Sequence, residues 1–136
     1  MTDPLRTLIL TGASRGIGHA TVRRFSEAGW RIITCSREDV PDACQYDPNW
    51  AHHIPADLSV AADLEAFVAE ANEFLGKDGL SSLVNNAAVS PKTSFKERLG
   101  CLNGDQDAWH EVFNLNLFAP LALCRGFAAA LHRGKG

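Results

Sequence analysis

The sequence has 136 residues, enough for one domain and too few for two domains with separate cores. Its content of 46% hydrophobic and 21% charged residues is ordinary for a globular chain, and a net charge of −3 argues against a nucleic-acid ligand, which needs clustered Lys and Arg. The apolar start is interrupted by Asp3, Pro4 and Arg6, so it fits neither a signal peptide nor a membrane span, and we expect no membrane partner.

The first predicted elements are a buried strand and an amphipathic helix joined by a glycine-rich turn. Residues 5–11 are rich in strand-forming types and centre on the apolar run Leu8-Ile9-Leu10, as in a parallel strand covered on both faces. A G-x-x-x-G-x-G turn follows at 12–18, and apolar residues at helical spacing predict a helix over 17–28 that Gly29 ends. Glycines let the backbone approach a pyrophosphate, and a helix N-terminus favours an anion. The pattern indicates a phosphate-binding turn, with a tight turn that binds nothing as the alternative.

The rest of the chain continues to alternate strands and helices. The predicted elements are a strand over 31–36, a loop over 37–52, a strand over 53–56, a helix over 60–75 capped by Ser59, a strand over 81–87, a loop over 89–106 and a long helix over 107–132. The long helix is apolar almost all round beyond Val112, so we expect it to be covered on more than one side. This alternation predicts a doubly wound α/β fold with an open parallel sheet, Rossmann-like, that stops after the long helix. Residues 1–136 then form one partial dinucleotide-binding domain.

Four motifs in order resemble those of short-chain dehydrogenases/reductases. They are the run Thr11-Gly-Ala-Ser-Arg-Gly-Ile-Gly18, the pair Asp57-Leu58, the run Asn85-Asn86-Ala87-Ala88 with Ala88 in place of the usual glycine, and Trp109 followed by Asn116-Leu117. The resemblance implies an oxidoreductase that moves a hydride between a nicotinamide cofactor and a small-molecule carbonyl or alcohol. It implies that the cofactor is held by Gly12, Ser14, Arg15, Gly16, Ile17, Gly18, Arg37, Asp57, Leu58, Asn86 and Ala87.

The residues that follow the second strand predict which dinucleotide binds. In such folds an acidic residue at this place binds the ribose 2′-hydroxyl of NAD. Here Ser36 holds the place and Arg37 follows, and Arg15 lies in the glycine-rich turn. Guanidinium groups pair with a 2′-phosphate through charge-assisted hydrogen bonds, so we predict NADP, with NAD the less favoured cofactor. The alternative is that both arginines are solvated surface residues, and Glu38 and Asp39 weaken the local positive field.

Two asparagines carry expectations of different kinds. The resemblance gives Asn116 a catalytic role, the ordering of a water in a proton relay. Pro120 lies four residues later and has no N–H for the Asn116 carbonyl, so we expect a kinked helix and a carbonyl left free for that water. A polar residue in a packed helix is the alternative. Asn86 has a competing structural role, because in the family this motif also bonds across the sheet.

The residues that would complete the chemistry are missing. The family uses a serine and a Tyr-x-x-x-Lys pair after the long helix, whereas the single tyrosine here, Tyr46, precedes Asp57 and is followed at the fourth position by Trp50. We therefore expect a truncated sequence or a broken gene, and a chain that is inactive alone and marginally stable unless the long helix pairs into a homo-oligomer. A non-catalytic dinucleotide-binding module, or a regulatory partner of a full-length paralogue, is the alternative function.

The cysteines and histidines show no metal-binding pattern. Cysteines 35, 44, 101 and 124 have no C-x-x-C spacing, which indicates reduced thiols and a cytoplasmic protein. Adjacent residues of a strand face opposite sides, so His52 and His53 cannot easily share a metal. We expect all five histidines to be surface or edge residues.

Overall fold

The computed structural model describes residues 5–93 and 95–136. Four parallel strands form one sheet in the order β3-β2-β1-β4. Their bounds are β1 Thr7–Thr11, β2 Arg31–Ser36, β3 Trp50–Pro55 and β4 Ser82–Val84. Because β2 and β4 lie on opposite sides of β1, the strand order reverses at β1. This topology confirms the predicted doubly wound, Rossmann-like fold.

Helices cover both faces of the sheet. Their bounds are α1 Gly16–Glu27, a 3₁₀ turn Asp42–Cys44, α2 Ala61–Leu75, and a long helix composed of α3 Gln106–Phe113, a π-helical segment Asn114–Phe118 and α4 Ala119–Gly134. On the face that α1 covers, Leu8 and Leu10 pack with Val22. On the face that α2 and α4 cover, Ile9 packs with other buried residues, Phe67 and Phe127 among them. Neighbouring residues of β1 face opposite sides of the sheet, and helices cover both sides. All five residues of β1 are therefore buried.

Three boundaries differ from the sequence-based prediction. Strand β3 begins at Trp50 instead of His53, because an irregular register between Ile32 and Ile33 interrupts the alternation that marks a strand. Strand β4 ends at Val84, since the amides of residues 86 and 87 bond to a threonine side chain and not to a neighbouring strand. The predicted Ser59 cap is wrong: the Ser59 hydroxyl donates to Asp57, and α2 starts without a side-chain cap.

The long helix differs most from its prediction. It is continuous from Gln106 to Gly134, and the Ala119 amide donates to the Asn114 carbonyl in a π-type hydrogen bond. A π-helical segment, which was not predicted, therefore lies just before Pro120, the residue at which we expect a kink. One side packs on the sheet and α2. The expectation that the helix is covered on several sides is wrong for the described residues, since Phe113, Leu117, Phe118 and Leu121 are about half exposed. This helix is long and apolar enough to span a membrane, but the core helices of soluble proteins can have the same length and composition.

Candidate functional site

A cleft of about 320 Å³ opens at the carboxyl ends of the strands. It lies where β1 separates the two halves of the sheet, the position at which open parallel sheets bind ligands. Most of its lining residues follow the end of a strand or begin α1. The lining includes all eleven residues expected to hold a cofactor: Gly12, Ser14, Arg15, Gly16, Ile17, Gly18, Arg37, Asp57, Leu58, Asn86 and Ala87.

The glycine-rich turn has two positions where a side chain cannot fit. Gly12 has φ +72°, and a Cβ there would lie 2.9 Å from both the Ala87 Cα and the Asn86 Nδ2. At Gly18 a Cβ would overlap the Gly12 carbonyl oxygen and lie 2.6 Å from the Asn86 Nδ2. The first glycine therefore permits the turn, and the last permits α1 to start against it.

Hydrogen bonds fix this turn to the strands on both sides. The Gly12 amide donates to the Cys35 carbonyl of β2 at 2.7 Å. On the other side, the Asn86 Nδ2 donates to the carbonyls of Thr11 and Gly12 at 3.2 and 3.1 Å. The buried Thr11 Oγ1 accepts from the amides of Asn86 and Ala87 at 3.2 and 3.1 Å. Asn86 thus has the expected structural role and also lines the cleft.

The N-terminus of α1 points its polar backbone toward the cleft. Arg15 is the N-cap residue in extended backbone, and no side chain caps the helix. The first-turn amides of a helix lack intrahelical partners and carry a partial positive charge. An anionic group in the cleft would meet these amides, and Ser14 and Arg15 beside them.

The segment after β2 brings a cation to the cleft mouth. Arg37 is exposed and lines the cleft with Ser36 and Glu38. The buried Ser36 hydroxyl donates to the Glu38 carbonyl at 2.6 Å, so it closes a small turn around Arg37. Arg15 is also exposed and lines the same cleft, so the structure brings the two predicted phosphate-binding arginines to one site.

Asp57 follows β3 and is held ionised by its neighbours. Its carboxylate accepts from the Ser59 hydroxyl at 2.6 Å and from the Ser59 amide at 3.0 Å. These bonds, the hydroxyl above all, and the charge of Arg37 lower the pKa of Asp57, although partial burial opposes the shift. The cleft lining thus has two acidic side chains, Asp57 and Glu38, beside the two arginines.

Asn116 lies beside the cleft and is not among the described residues that line it, whereas Leu115 is. Its side-chain oxygen accepts from the Val89 amide at 2.8 Å, and its Nδ2 donates to the Val89 carbonyl at 2.8 Å. This reciprocal pair fixes the π-helical segment to the chain that follows β4.

Several residues of the site were not found from the sequence. Cys35 lines the cleft, and burial, with smaller effects of Asp57 and Asp63, raises the pKa of its thiol to about 12, so it stays protonated. Thr11 could have been suspected as the hydroxyl that ends a buried strand. His53 bonds to the Glu38 carbonyl from 15 residues away in sequence, and no local pattern indicates such a contact. Tyr46 is 92% exposed in the turn before β3, in keeping with its exclusion as a catalytic residue.

The histidine pair agrees with its prediction, and the four cysteines form no disulfide with one another. All four thiols are free, and Cys35 is buried whereas Cys101 and Cys124 are exposed. His52 contacts Glu70, and His53 contacts Thr34 of β2, so the two rings lie on opposite sides of β3. His53 lies on β3, the edge strand of the sheet, as predicted, and its ring also joins a hydrogen-bond network.

The chain belongs to the short-chain dehydrogenase family, whose members are oxidoreductases: the model of that family, described as short chain dehydrogenase, matches residues 6–136. Protein FixR of Bradyrhizobium diazoefficiens is 42% identical over 132 residues, which are 96% of this chain and 48% of that protein. A fatty acyl-CoA reductase of Mycobacterium tuberculosis is 33% identical over 140 residues, with 96% of this chain and 45% of that protein covered.

Solved structures show the same fold. A short-chain dehydrogenase/reductase family oxidoreductase from Brucella ovis, in complex with a partially ordered NAD, has a TM-score of 0.88 and 44% identity, covering 98% of this chain and 60% of that one. Pseudomonas aeruginosa RhlG, in an active-site complex with NADP, has a TM-score of 0.78 and 27% identity, covering 95% and 49%. The chain thus spans about half the length of the relatives it matches.

Proposed function

We propose that the cleft binds NADP(H), and that the protein is an oxidoreductase acting on a small-molecule carbonyl or alcohol. The observation that carries the proposal is the pairing of a glycine-rich turn at an uncapped helix N-terminus with two exposed arginines on the same cleft. The turn suits a pyrophosphate of any dinucleotide. The arginines suit the additional 2′-phosphate that distinguishes NADP from NAD.

The shape of the cleft supports a dinucleotide. A Cβ at Gly18 would overlap the turn itself, so the absence of side chains leaves backbone amides open at the start of α1. Leu58 and Asp57 line the side of the cleft that follows β3, and Asn86 and Ala87 line the side that follows β4. A dinucleotide lying across the strand ends would contact these residues in turn.

The preference for NADP rests on charge at the end of β2. Ser36 stands where an acidic residue would repel a 2′-phosphate, and its hydroxyl is turned to the Glu38 carbonyl. Arg37 follows directly, and Arg15 lies on the same cleft. The relatives supply both alternatives, since the Brucella protein was crystallised with NAD and the Pseudomonas protein with NADP. The choice therefore depends on these side chains of this chain.

Bound here, a nicotinamide cofactor would supply or accept the hydride at the carbonyl or alcohol carbon of the substrate. We assign Asn116 to the proton path through its backbone carbonyl, because its side chain is bonded to Val89. Pro120 lacks the N–H that would bond this carbonyl in a regular α-helix, and the π-helical segment before it changes the local bonding. The carbonyl can then hold a water for proton transfer.

The exposed side of the long helix suits self-association. Phe113, Leu117, Phe118 and Leu121 lie on it. A surface of this kind is stabilised when it is covered, and we expect a homo-oligomer. The four free cysteines fit a reducing compartment, and we assign the protein to the cytoplasm.

The test is a comparison of dissociation constants for NADPH and NADH in arginine variants of the purified protein. Loss of a charge-assisted bond costs roughly 1.5–3 kcal/mol, so Arg37→Ser and Arg15→Ser should each weaken NADPH about tenfold or more. The affinity for NADH, which has no 2′-phosphate, should change by less than about twofold in Arg37→Ser. In Arg15→Ser it should fall less than the affinity for NADPH, because Arg15 also lies beside the amides that would meet the pyrophosphate. Arg24→Ser, on the exposed face of α1 and bonded to Glu27, is the matched control. Equal losses for both cofactors would contradict the proposed preference.

A further inference from the structure

A chain of hydrogen bonds leads from the core of the sheet to the segment that carries Arg37. The Trp50 Nε1 lies 2.6 Å from the Thr34 Oγ1, and this oxygen lies 2.7 Å from the His53 Nδ1. On the other side of the ring, the His53 Nε2 lies 2.9 Å from the Glu38 carbonyl oxygen. Thr34 is fully buried and Trp50 is 9% exposed, so the chain starts in the core and ends at the cleft mouth.

The partners determine the direction of every bond in this chain. A carbonyl oxygen only accepts, so the His53 Nε2 carries a proton and donates to Glu38. The indole N–H of Trp50 only donates, so it donates to the Thr34 oxygen. The neutral ring then accepts at Nδ1 from the Thr34 hydroxyl. One neutral tautomer of His53 satisfies all three bonds, and burial, which lowers the pKa of His53, favours that neutral form.

Both ends of the three-residue segment 36–38 are fixed in this way. The Glu38 carbonyl accepts from the Ser36 hydroxyl at 2.6 Å and from the His53 ring at 2.9 Å. Ser36 belongs to β2 and pairs with Pro55 of β3. Arg37 lies between these two fixed points, so its backbone has little freedom even though its side chain is exposed. The direction in which Arg37 leaves the backbone thus depends on His53.

We propose that His53 is a positioning residue for dinucleotide selectivity, which holds segment 36–38 so that Arg37 faces the 2′-phosphate. The proposal rests on the proposed function, because selectivity requires that NADP(H) bind in this cleft. Its neighbour His52 faces the other way, bonds to Glu70 at 2.8 Å and stacks on Phe74, and so serves as the matched control.

The experiment measures dissociation constants for NADPH and NADH in His53→Asn, His53→Gln and His52→Asn, using purified protein. Asparagine can still meet Thr34 but is too short to reach Glu38, whereas glutamine can reach Glu38 with an N–H. We expect His53→Asn to raise the dissociation constant for NADPH about tenfold, since the loss of one hydrogen bond changes an equilibrium by about tenfold. The dissociation constant for NADH should change by less than about twofold. His53→Gln should retain most of the selectivity, and His52→Asn all of it. A uniform loss for both cofactors in His53→Asn, or unchanged selectivity, would overturn the proposal.

The unaltered protein separates this proposal from the proposed function. If it binds NADPH and NADH equally, the NADP preference fails, and the role of His53 fails with it. If it prefers NADPH and His53→Asn keeps that preference, the positioning role alone fails.

Should His53→Asn not fold, nitrogen NMR of the unaltered protein replaces it. Addition of 2′,5′-ADP should shift the His53 ring signals more than ADP does, and equal shifts would overturn the proposal.

Discussion

Two segments at the mouth of the cleft are held in place by different means. The turn after β1 is fixed by backbone and by the lack of side chains, since Gly18 leaves room that a Cβ would fill and the Gly12 amide bonds to Cys35. The segment after β2 is fixed by side chains, chiefly those of Ser36 and His53. The first suits a group common to all dinucleotides, and the second suits the group that distinguishes them. The turn after β1 is therefore rigid, whereas single side-chain substitutions can alter the segment after β2.

The largest expected effect comes from filling the turn. Gly18→Ala would drive a methyl group into the Gly12 carbonyl, and overpacking of this kind costs roughly 1–3 kcal/mol, so we expect the free energy of unfolding to fall by about 3 kcal/mol with loss of NADPH and NADH binding alike. Gly16→Ala meets no atom within 4 Å, but its φ of +58° strains an alanine by roughly 1 kcal/mol. Urea unfolding measures both values. A smaller loss for Gly18→Ala than for Gly16→Ala would contradict the close approach.

A smaller effect is expected where the turn meets β4. Thr11→Val keeps the shape of the side chain but leaves the amides of Asn86 and Ala87 without their acceptor. A buried donor that loses its partner costs about 1–3 kcal/mol, and we expect a loss of about 2 kcal/mol in the free energy of unfolding. Thr21→Val, on the exposed side of α1, is the control and should change little. An equal effect of the two substitutions would show that the Thr11 bonds do not fix the turn.

The smallest expected effect is one of pH, and it should separate the two segments. The pKa of His53 lies below its usual 6.5 because burial disfavours the charged ring, and the nearby Glu38 carbonyl and Asp39 oppose this while His52 adds to it. The folded state therefore binds fewer protons than the unfolded state, so this contribution to stability is complete above pH 6.5 and is lost as the pH falls through the folded pKa.

Hydrogen exchange between pH 7 and pH 5, corrected for intrinsic rates, checks this prediction. Protection of amides 37–39 should fall more than that of amides 12–14, and His53→Gln should abolish the difference. A parallel fall in both segments would contradict the assignment. Asp57 affects stability in a different pH range. Because its pKa is lowered in the folded protein, its contribution to the free energy of unfolding is lost only as the pH drops below 3.8.

The sequence predicted the features that neighbouring residues determine, and it missed those that depend on contacts between residues far apart in the chain. The glycine spacing, the buried strand and the cleft residues follow from local patterns, and the structure brings all eleven expected cofactor residues to one cleft. The π-helical segment at Asn114–Phe118 was not predicted, because Pro120 indicates a break in regular bonding without specifying its form. The role of Ser59 was wrong because Asp57, two residues earlier, competes for its hydroxyl. The hydrogen bond from His53 to the Glu38 carbonyl forms only because β2 and β3 pair in one register, and no local sequence pattern predicts that register.

The central claim is that the cleft is a dinucleotide site whose arginines select a 2′-phosphate. Calorimetric titration of the unaltered, purified protein with NADPH and with NADH tests it most directly. We predict binding of both, with NADPH tighter by about tenfold or more, as expected from at least one charge-assisted bond to the additional phosphate. Equal affinities, or tighter binding of NADH, would contradict the account.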